Sequence, residues 1–195
     1  MDTAITTAAE FEMHASIAGL VETSNALVQE YLKSARKTLE NLIGRSDLLA
    51  AENLISTPGT YTRHLLFGDG NLSIWIMTWS PGSRTSIHDH RCSCCFGIVQ
   101  GKLTEVRYQA IDKAQVAERE RVVRDEGFID CLLPSGPNIH MMCNESDELV
   151  ISIHIYGYDH RLHSSSVLQE YTAVADDGRA QATLEDAKTA TSTGK

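Results

Sequence analysis

The chain has no hydrophobic run approaching the ~20 apolar residues that a membrane-spanning helix needs. Its first twelve residues are neither basic nor followed by an apolar core, so no signal peptide is expected. It is also short of positive charge. Seventeen Lys and Arg stand against twenty-six Asp and Glu, a net charge of −9, which argues against nucleic acid or an anionic membrane as the main partner. A small anionic substrate stays open, because one local Arg can reverse the local field. No Cys-x-x-Cys pair recurs at zinc-finger spacing, so a structural zinc knuckle is not expected. Five cysteines is an odd number, and three of them crowd into 92–95, which suits reduced thiols in a cytoplasmic setting better than a secreted disulfide framework.

What remains is 195 residues, enough for one ordinary domain that needs no disulfide staples, and a monomer is expected. In 24–44, Leu27, Val28, Tyr31, Leu32, Ala35, Leu39, Leu42 and Ile43 recur three or four apart, which predicts an amphipathic helix capped by Ser24 or Asn25 and stopped by Gly44. A separate helix is expected over 10–22, and Ser46 can cap a short one reaching Leu54. After Pro58-Gly59 the texture changes to short strands broken by Gly and Pro: 61–67, 72–80, 86–90, 94–100, 102–108, 127–132, 139–143 and 148–156. The charged stretch 109–126 reads as a solvated loop or an edge hairpin. This pattern predicts a mostly β fold, an antiparallel barrel or jelly roll. The expected organisation is an N-terminal helical segment, 1–58, packed on the barrel, then the barrel with its metal site, 59–173, then a disordered tail, 174–195.

The chemistry concentrates on Ser86-Ile87-His88-Asp89-His90. Residues two apart on a strand point the same way, so His88 and His90 aim two imidazoles at one side while Asp89 points away as support. His140 follows a Pro/Gly turn in Pro134-Ser135-Gly136-Pro137-Asn138-Ile139-His140 and can oppose them across a barrel. Taken alone it is also compatible with an ordinary core or surface histidine. Three imidazoles on one face of a metal leave the other face open.

Gly82, His88, Asp89, His90, Cys94 and Gly101 have the spacing of the first cupin motif, with Cys94 where most cupins place a glutamate. Residues 134–144 resemble the second cupin motif. Ser152-Ile153-His154-Ile155-Tyr156-Gly157 resembles the Ser-His-Tyr signature of the cysteine dioxygenase family of thiol dioxygenases, and Tyr61-Thr62-Arg63 resembles that family's substrate-anchoring segment. The resemblance covers roughly half the chain. It implies a non-haem ferrous ion, Fe(2+), held by His88, His90 and His140. Lacking a carboxylate ligand, the site would keep its positive charge and three free positions for a thiolate, a second substrate atom and dioxygen, giving a sulfinate.

The same resemblance gives Arg63, with Tyr61 beside it, the role of substrate anchor, since a guanidinium matches a carboxylate in bidentate geometry. Tyr61, Arg63 and Leu65 share a strand face, which predicts a buried, paired Arg63. Ser152 would orient His154, and His154 the Tyr156 hydroxyl; the plainer reading is a polar stripe facing solvent. Some family members join a cysteine to this tyrosine as a thioether. Cys94 shares parity with the histidines and has the right spacing to Gly101, whereas Cys95 has the animal-type separation from His90; Cys94 is the choice, with two uncrosslinked apolar thiols as the alternative. His64, His160 and His163 are expected outside the metal's ligand set, with Arg161 at the pocket mouth. L-Cysteine oxidation to cysteine sulfinate is the leading expectation. The alternatives are 3-mercaptopropionate or mercaptosuccinate as substrate, or a non-catalytic metal-binding cupin sensor.

Overall fold

The computed structural model describes residues 8–45, 54–134, 138–163 and 165–174, with side chains from 14 onward. One helix, α1 (Ala8–Ile43), precedes ten strands. In chain order these are β1 (Tyr61–Gly68), β2 (Ser73–Trp79), β3 (Ile87–His90), β4 (Cys94–Gln100), β5 (Leu103–Ala110), β6 (Gln115–Arg124), β7 (Ile129–Leu132), β8 (His140–Cys143), β9 (Val150–Tyr156) and β10 (Val167–Ala173).

The expected separate helices over 10–22 and 24–44 are one continuous 36-residue helix. Ser24 and Asn25, expected as the cap, lie inside the helix, and the neighbouring Thr23 hydroxyl donates to the Gly19 carbonyl four residues back at 2.9 Å, as polar side chains can within a helix. The short helix expected from Ser46, like the tail from residue 175, lies outside the described residues. The last turns of α1 bury Ala35 and Leu39 against Ile76, Cys95, Ile151, Ile153 and Ile155. Gly97 on β4 permits this approach: a Cβ there would stand 2.5 Å from the Ile43 side chain.

The strands form the expected antiparallel jelly-roll barrel in two layers. One is ordered β1-β2-β9-β4-β7; the other, β10-β3-β8-β5-β6, closes through a short parallel pairing of β10 with β6. The charged stretch 109–126 takes the hairpin form, β6 pairing with β5. Alternation on β9 divides the molecule. Ile151, Ile153 and Ile155 face α1, while Val150 packs in the barrel interior with Met77, Trp79, Phe96, Ile98, Leu103 and Met142. Gly101, at φ 79°, turns β4 into β5, and the space above it is filled by Val150. β10 has no forecast counterpart; its side chains are mostly exposed, so it carries little apolar alternation.

Candidate metal centre

β3 and β8 are neighbours, and His88 pairs directly with His140 across them. His90, two residues along β3, shares the face. The nitrogen atoms that His88, His90 and His140 offer all lie within 4.8 Å of one another, and all three side chains are buried. Burial, reinforced by the neighbouring imidazoles, pushes His88 down to about 4 and His90 to about 2, so both are neutral at pH 7.

Their outer partners orient the rings. His88 Nδ1 lies 2.9 Å from the Ser86 carbonyl, which can only accept, and His140 Nδ1 lies 3.3 Å from the Glu105 carboxylate. Both rings therefore carry hydrogen on Nδ1 and turn a bare Nε2 inward. The Nε2 atoms of His90 and His140 stand 3.1 Å apart. Metal–nitrogen bonds of about 2.1 Å meeting at right angles place two donors about 3 Å apart, so the spacing suits a transition metal. Three imidazole nitrogens on one side with no carboxylate in the set fit a facial metal site with its other face open.

Glu105 is a support that the sequence reading missed. It is fully buried and receives Arg124 at 2.6 Å and Arg107 at 3.2 Å as well as His140. Burial alone would raise its carboxyl, but the hydrogen bonds from His140, Arg124 and Arg107 hold it down to about 2. A carboxylate between Leu103 and Val106 in an apolar strand was the available signal.

Ser152, His154 and Tyr156 are all buried, which overturns the solvent-facing alternative. Ser152 Oγ lies 2.9 Å from His154 Nε2, and the Tyr156 hydroxyl 3.5 Å from His154 Nδ1. A second missed residue sets the direction. Trp79 Nε1, which can only donate, gives its hydrogen to Ser152 Oγ at 2.8 Å. The Ser152 hydroxyl then donates to His154 Nε2, so the neutral ring donates from Nδ1 towards Tyr156. Burial pushes His154 down to about 3, which keeps it in this neutral form. The Tyr156 hydroxyl hydrogen is thereby left for other acceptors.

Cys94 is the direct cross-strand partner of Tyr156, and the two pack in one buried cluster with Cys92. Burial pushes both groups well above their ordinary values. Cys95 faces the other way, into the core under α1.

Two spaces that share lining residues adjoin the histidines. An inner chamber of about 30 Å³ is lined by Trp79, Cys94, Phe96, His140 and His154, together with His88, His90 and Tyr156. An outer cavity of about 170 Å³ shares the last three and adds Tyr61, Arg63, Ser165, Ser166 and Glu170. Tyr61 packs at a tilt against Trp79, ring centres 4.9 Å apart. Arg63 reaches the cavity but is neither buried nor paired as expected. It is exposed, with its guanidinium carbon 5.8 Å from the centre of the Trp75 ring, and it meets no carboxylate among the described residues. At the edge of its sheet, β1 is covered on one side only, which leaves Arg63 in water.

Arg161 does not line the cavity mouth. It is held by the buried Asp159 at 2.6 Å and packs over Gly68. His160 packs edge-on to Tyr156, ring centres 4.4 Å apart, and is bonded through Nδ1 to Ser73. His64 instead bonds the Ile55 carbonyl. Asp89 supports β10, accepting from the Tyr171 hydroxyl at 2.9 Å and from the Gln169 amide.

The chain resembles known proteins over part of its length. The profile of the family described as cysteine dioxygenase type I matches residues 50–161. Cysteine dioxygenase type 1 of Homo sapiens is 35% identical over 102 residues, covering 49% of this chain and 50% of that protein. The Danio rerio protein of the same name is 32% identical over a stretch of the same length. The chain thus spans about half the length of the curated relatives it matches. Among solved structures, a cupin superfamily protein from Desulfitobacterium hafniense aligns with a TM-score of 0.45 at 11% identity, covering 56% of this chain and 88% of that one. With more than half of its length inside the matched profile, the chain belongs to the cysteine dioxygenase type I family.

Proposed function

We propose that this protein is a ferrous thiol dioxygenase that adds both atoms of dioxygen to the sulfur of a small carboxylated thiol, with L-cysteine to cysteine sulfinate as the reaction. One observation carries the reading: the three clustered histidines, Tyr156 and the unpaired Arg63 line two cavities that share His88, His90 and Tyr156. Iron, held by His88, His90 and His140, would supply the acidity that makes a thiol a thiolate at neutral pH and the means to activate dioxygen.

The remaining roles belong to the chain itself. Arg63 binds the substrate carboxylate as a bidentate pair, with Tyr61 as the adjacent wall. Tyr156, oriented through Trp79, Ser152 and His154, offers a hydrogen bond to the reacting oxygen or to the carboxylate. Cys94 sits where it can be joined to Tyr156. The inner chamber has room for a diatomic molecule, and its aromatic walls limit water. Five free cysteines suit a reducing cytoplasm, and no described helix is long and apolar enough to cross a membrane.

The test is oxygen uptake by iron-loaded protein with L-cysteine and no external reductant, matched mole for mole by sulfinate. No uptake with L-cysteine, 3-mercaptopropionate or mercaptosuccinate would sink the dioxygenase reading and favour a non-catalytic metal-binding cupin. Arg63→Gln is expected to lower kcat/KM for cysteine by at least about tenfold, the value of one charge-assisted pair. Unchanged cysteine turnover would remove Arg63 from carboxylate binding.

A further inference from the structure

Among the described residues, Cys95 and Cys131 are the only cysteines that pair directly across two strands, β4 and the edge strand β7. The proposed reaction uses neither thiol. Strand alternation turns both side chains to the face covered by α1, where they pack in one cluster with Ala35 and Leu39. Cys95 is fully buried there, whereas Cys131, on the outermost strand, is half-buried.

The hydrogen bonds of this strand pair determine how close the two residues stand. The Ile98 amide donates to the Phe128 carbonyl at 2.9 Å. Bonded and non-bonded positions alternate along an antiparallel pair. Phe96 and Cys94 therefore take bonded positions, and Gly97 and Cys95 take non-bonded ones. Residues facing each other in a non-bonded pair have Cα atoms about 4.5 Å apart, with their side chains at their nearest. That spacing lies within the range of about 4.4–6.8 Å that a disulfide spans. The two thiols can be joined while both strands keep their places.

The two cysteines also differ in a way that suits stepwise oxidation. Cys131 is the more accessible, and its thiol is lowered from its ordinary value, first by the Cys95 thiol and then by the Arg36 guanidinium of α1. Arg36 is held over β7 by donating to the Ile129 carbonyl at 3.1 Å. Cys95, shut beneath α1, is placed to react only with what forms on Cys131.

We propose that Cys95 and Cys131 form a reversible disulfide in response to hydrogen peroxide, with Cys131 attacked first and Cys95 as the resolving thiol. The Cys131 sulfur bonds to one peroxide oxygen, the O–O bond breaks, and the other oxygen leaves as water, which gives a sulfenic acid. The Cys95 sulfur then bonds to the Cys131 sulfur, the S–O bond breaks, and the hydroxyl takes the Cys95 proton and leaves as a second water. Two thiols and one hydrogen peroxide become one disulfide and two waters. Excess small thiol reverses the change by exchange. The bond fastens to β4 a four-residue edge strand whose Asp130 holds Arg107 at 3.0 Å, behind Glu105.

The full-length chain, freed of iron and reductant, is treated with one equivalent of hydrogen peroxide. The intact mass is expected to fall by two hydrogens and the free thiols from five to three. Dithiothreitol should reverse both changes, whereas a thioether would survive it. Fragmentation of the linked peptides should place the bond between Cys95 and Cys131. Cys131→Ala is expected to show no mass loss, and Cys95→Ala to stop at a sulfenic acid, one oxygen heavier and trapped by dimedone. Oxidised wild type is expected to melt about 5 °C above the reduced protein. The wild-type peptide map decides the pairing even where a variant fails to fold. Oxygen gained with no disulfide, or a bond between Cys92 and Cys94 instead, would overturn it. The expected bond with an unchanged melting temperature would overturn the fastening of β7.

Discussion

Cys94 and Tyr156 stand directly opposite one another on β4 and β9, both buried and packed in one cluster. Directly opposed residues on antiparallel strands have Cβ atoms about 5 Å apart, so a sulfur needs only a rotamer change to touch the tyrosine ring. Cys95 has no such access, because strand alternation turns it under α1 beside its own partner, Cys131. A thioether from Cys94 Sγ to a Tyr156 ring carbon breaks the S–H and one ring C–H bond and releases two protons and two electrons, which dioxygen takes up as hydrogen peroxide. Protein exposed to iron, cysteine and air is therefore expected to contain a species lighter by two hydrogens. Cys94→Ala should abolish it and Cys95→Ala should keep it. A crosslinked band on a denaturing gel from Cys94→Ala protein would reject the assignment.

Trp79 gives the Ser152–His154–Tyr156 chain its direction, since an indole N–H cannot accept. Without it, the Ser152 hydroxyl has no fixed role, and the neutral His154 ring can exchange tautomers. Trp79→Phe and Ser152→Ala are each expected to lower kcat by about tenfold, a modest fraction of what a positioned proton donor contributes, with KM for cysteine nearly unchanged. Because both act through one chain, the double variant should be little worse than either single one. Steady-state oxygen uptake by the three proteins decides it; multiplying effects would mean that Trp79 acts by packing alone.

The parts legible in the sequence were those governed by strand parity and motif spacing. His88, His90 and the Ser152/His154/Tyr156 stripe follow from period-two alternation, and Cys94 was separated from Cys95 by parity and its spacing to Gly101. Contacts between distant segments were not legible. The pairing of Glu105 with Arg124 is a register across a hairpin, and Trp79 meets Ser152 only because β2 and β9 are neighbours. β10, with Glu170, was invisible because an exposed strand lacks apolar alternation. Arg63 was misjudged as buried because its apolar neighbours lie on an edge strand, where Leu65 itself is 44% exposed. The joined helix escaped because polar capping residues can also be satisfied within a turn.

Glu105 ties His140, one of the three clustered histidines, to the barrel through Arg124 and Arg107. Glu105→Ala removes the partner of a mostly buried guanidinium and is expected to destabilise the fold by about 3–5 kcal/mol in urea denaturation. Glu105→Gln keeps an acceptor for His140 and should fold better. It is still expected to weaken iron binding about 10–100-fold in chelator competition, the usual cost of losing a ligand's carboxylate support. Unaltered iron affinity in Glu105→Gln would make this a stability network alone.

His154 also makes stability depend on pH. Its ordinary value of 6.5 falls to about 3 in the fold, chiefly through burial. Between those values the unfolded chain binds one more proton than the folded one, so acid favours unfolding. The contribution is fully present above about pH 6.5 and is lost as pH falls toward 3. One such group changes stability by about 1.4 kcal/mol per pH unit inside this window. Iron-free wild type and His154→Gln, compared by urea denaturation from pH 6 to pH 4, are expected to differ in slope by about that amount, with the variant flatter. His160, also depressed by burial, is present in both proteins, so the difference in slope reports chiefly on His154. Equal slopes would mean that His154 already carries a proton in the fold; Nε2 could then no longer accept from Ser152, and the chain from Trp79 to Tyr156 would have to run in another direction.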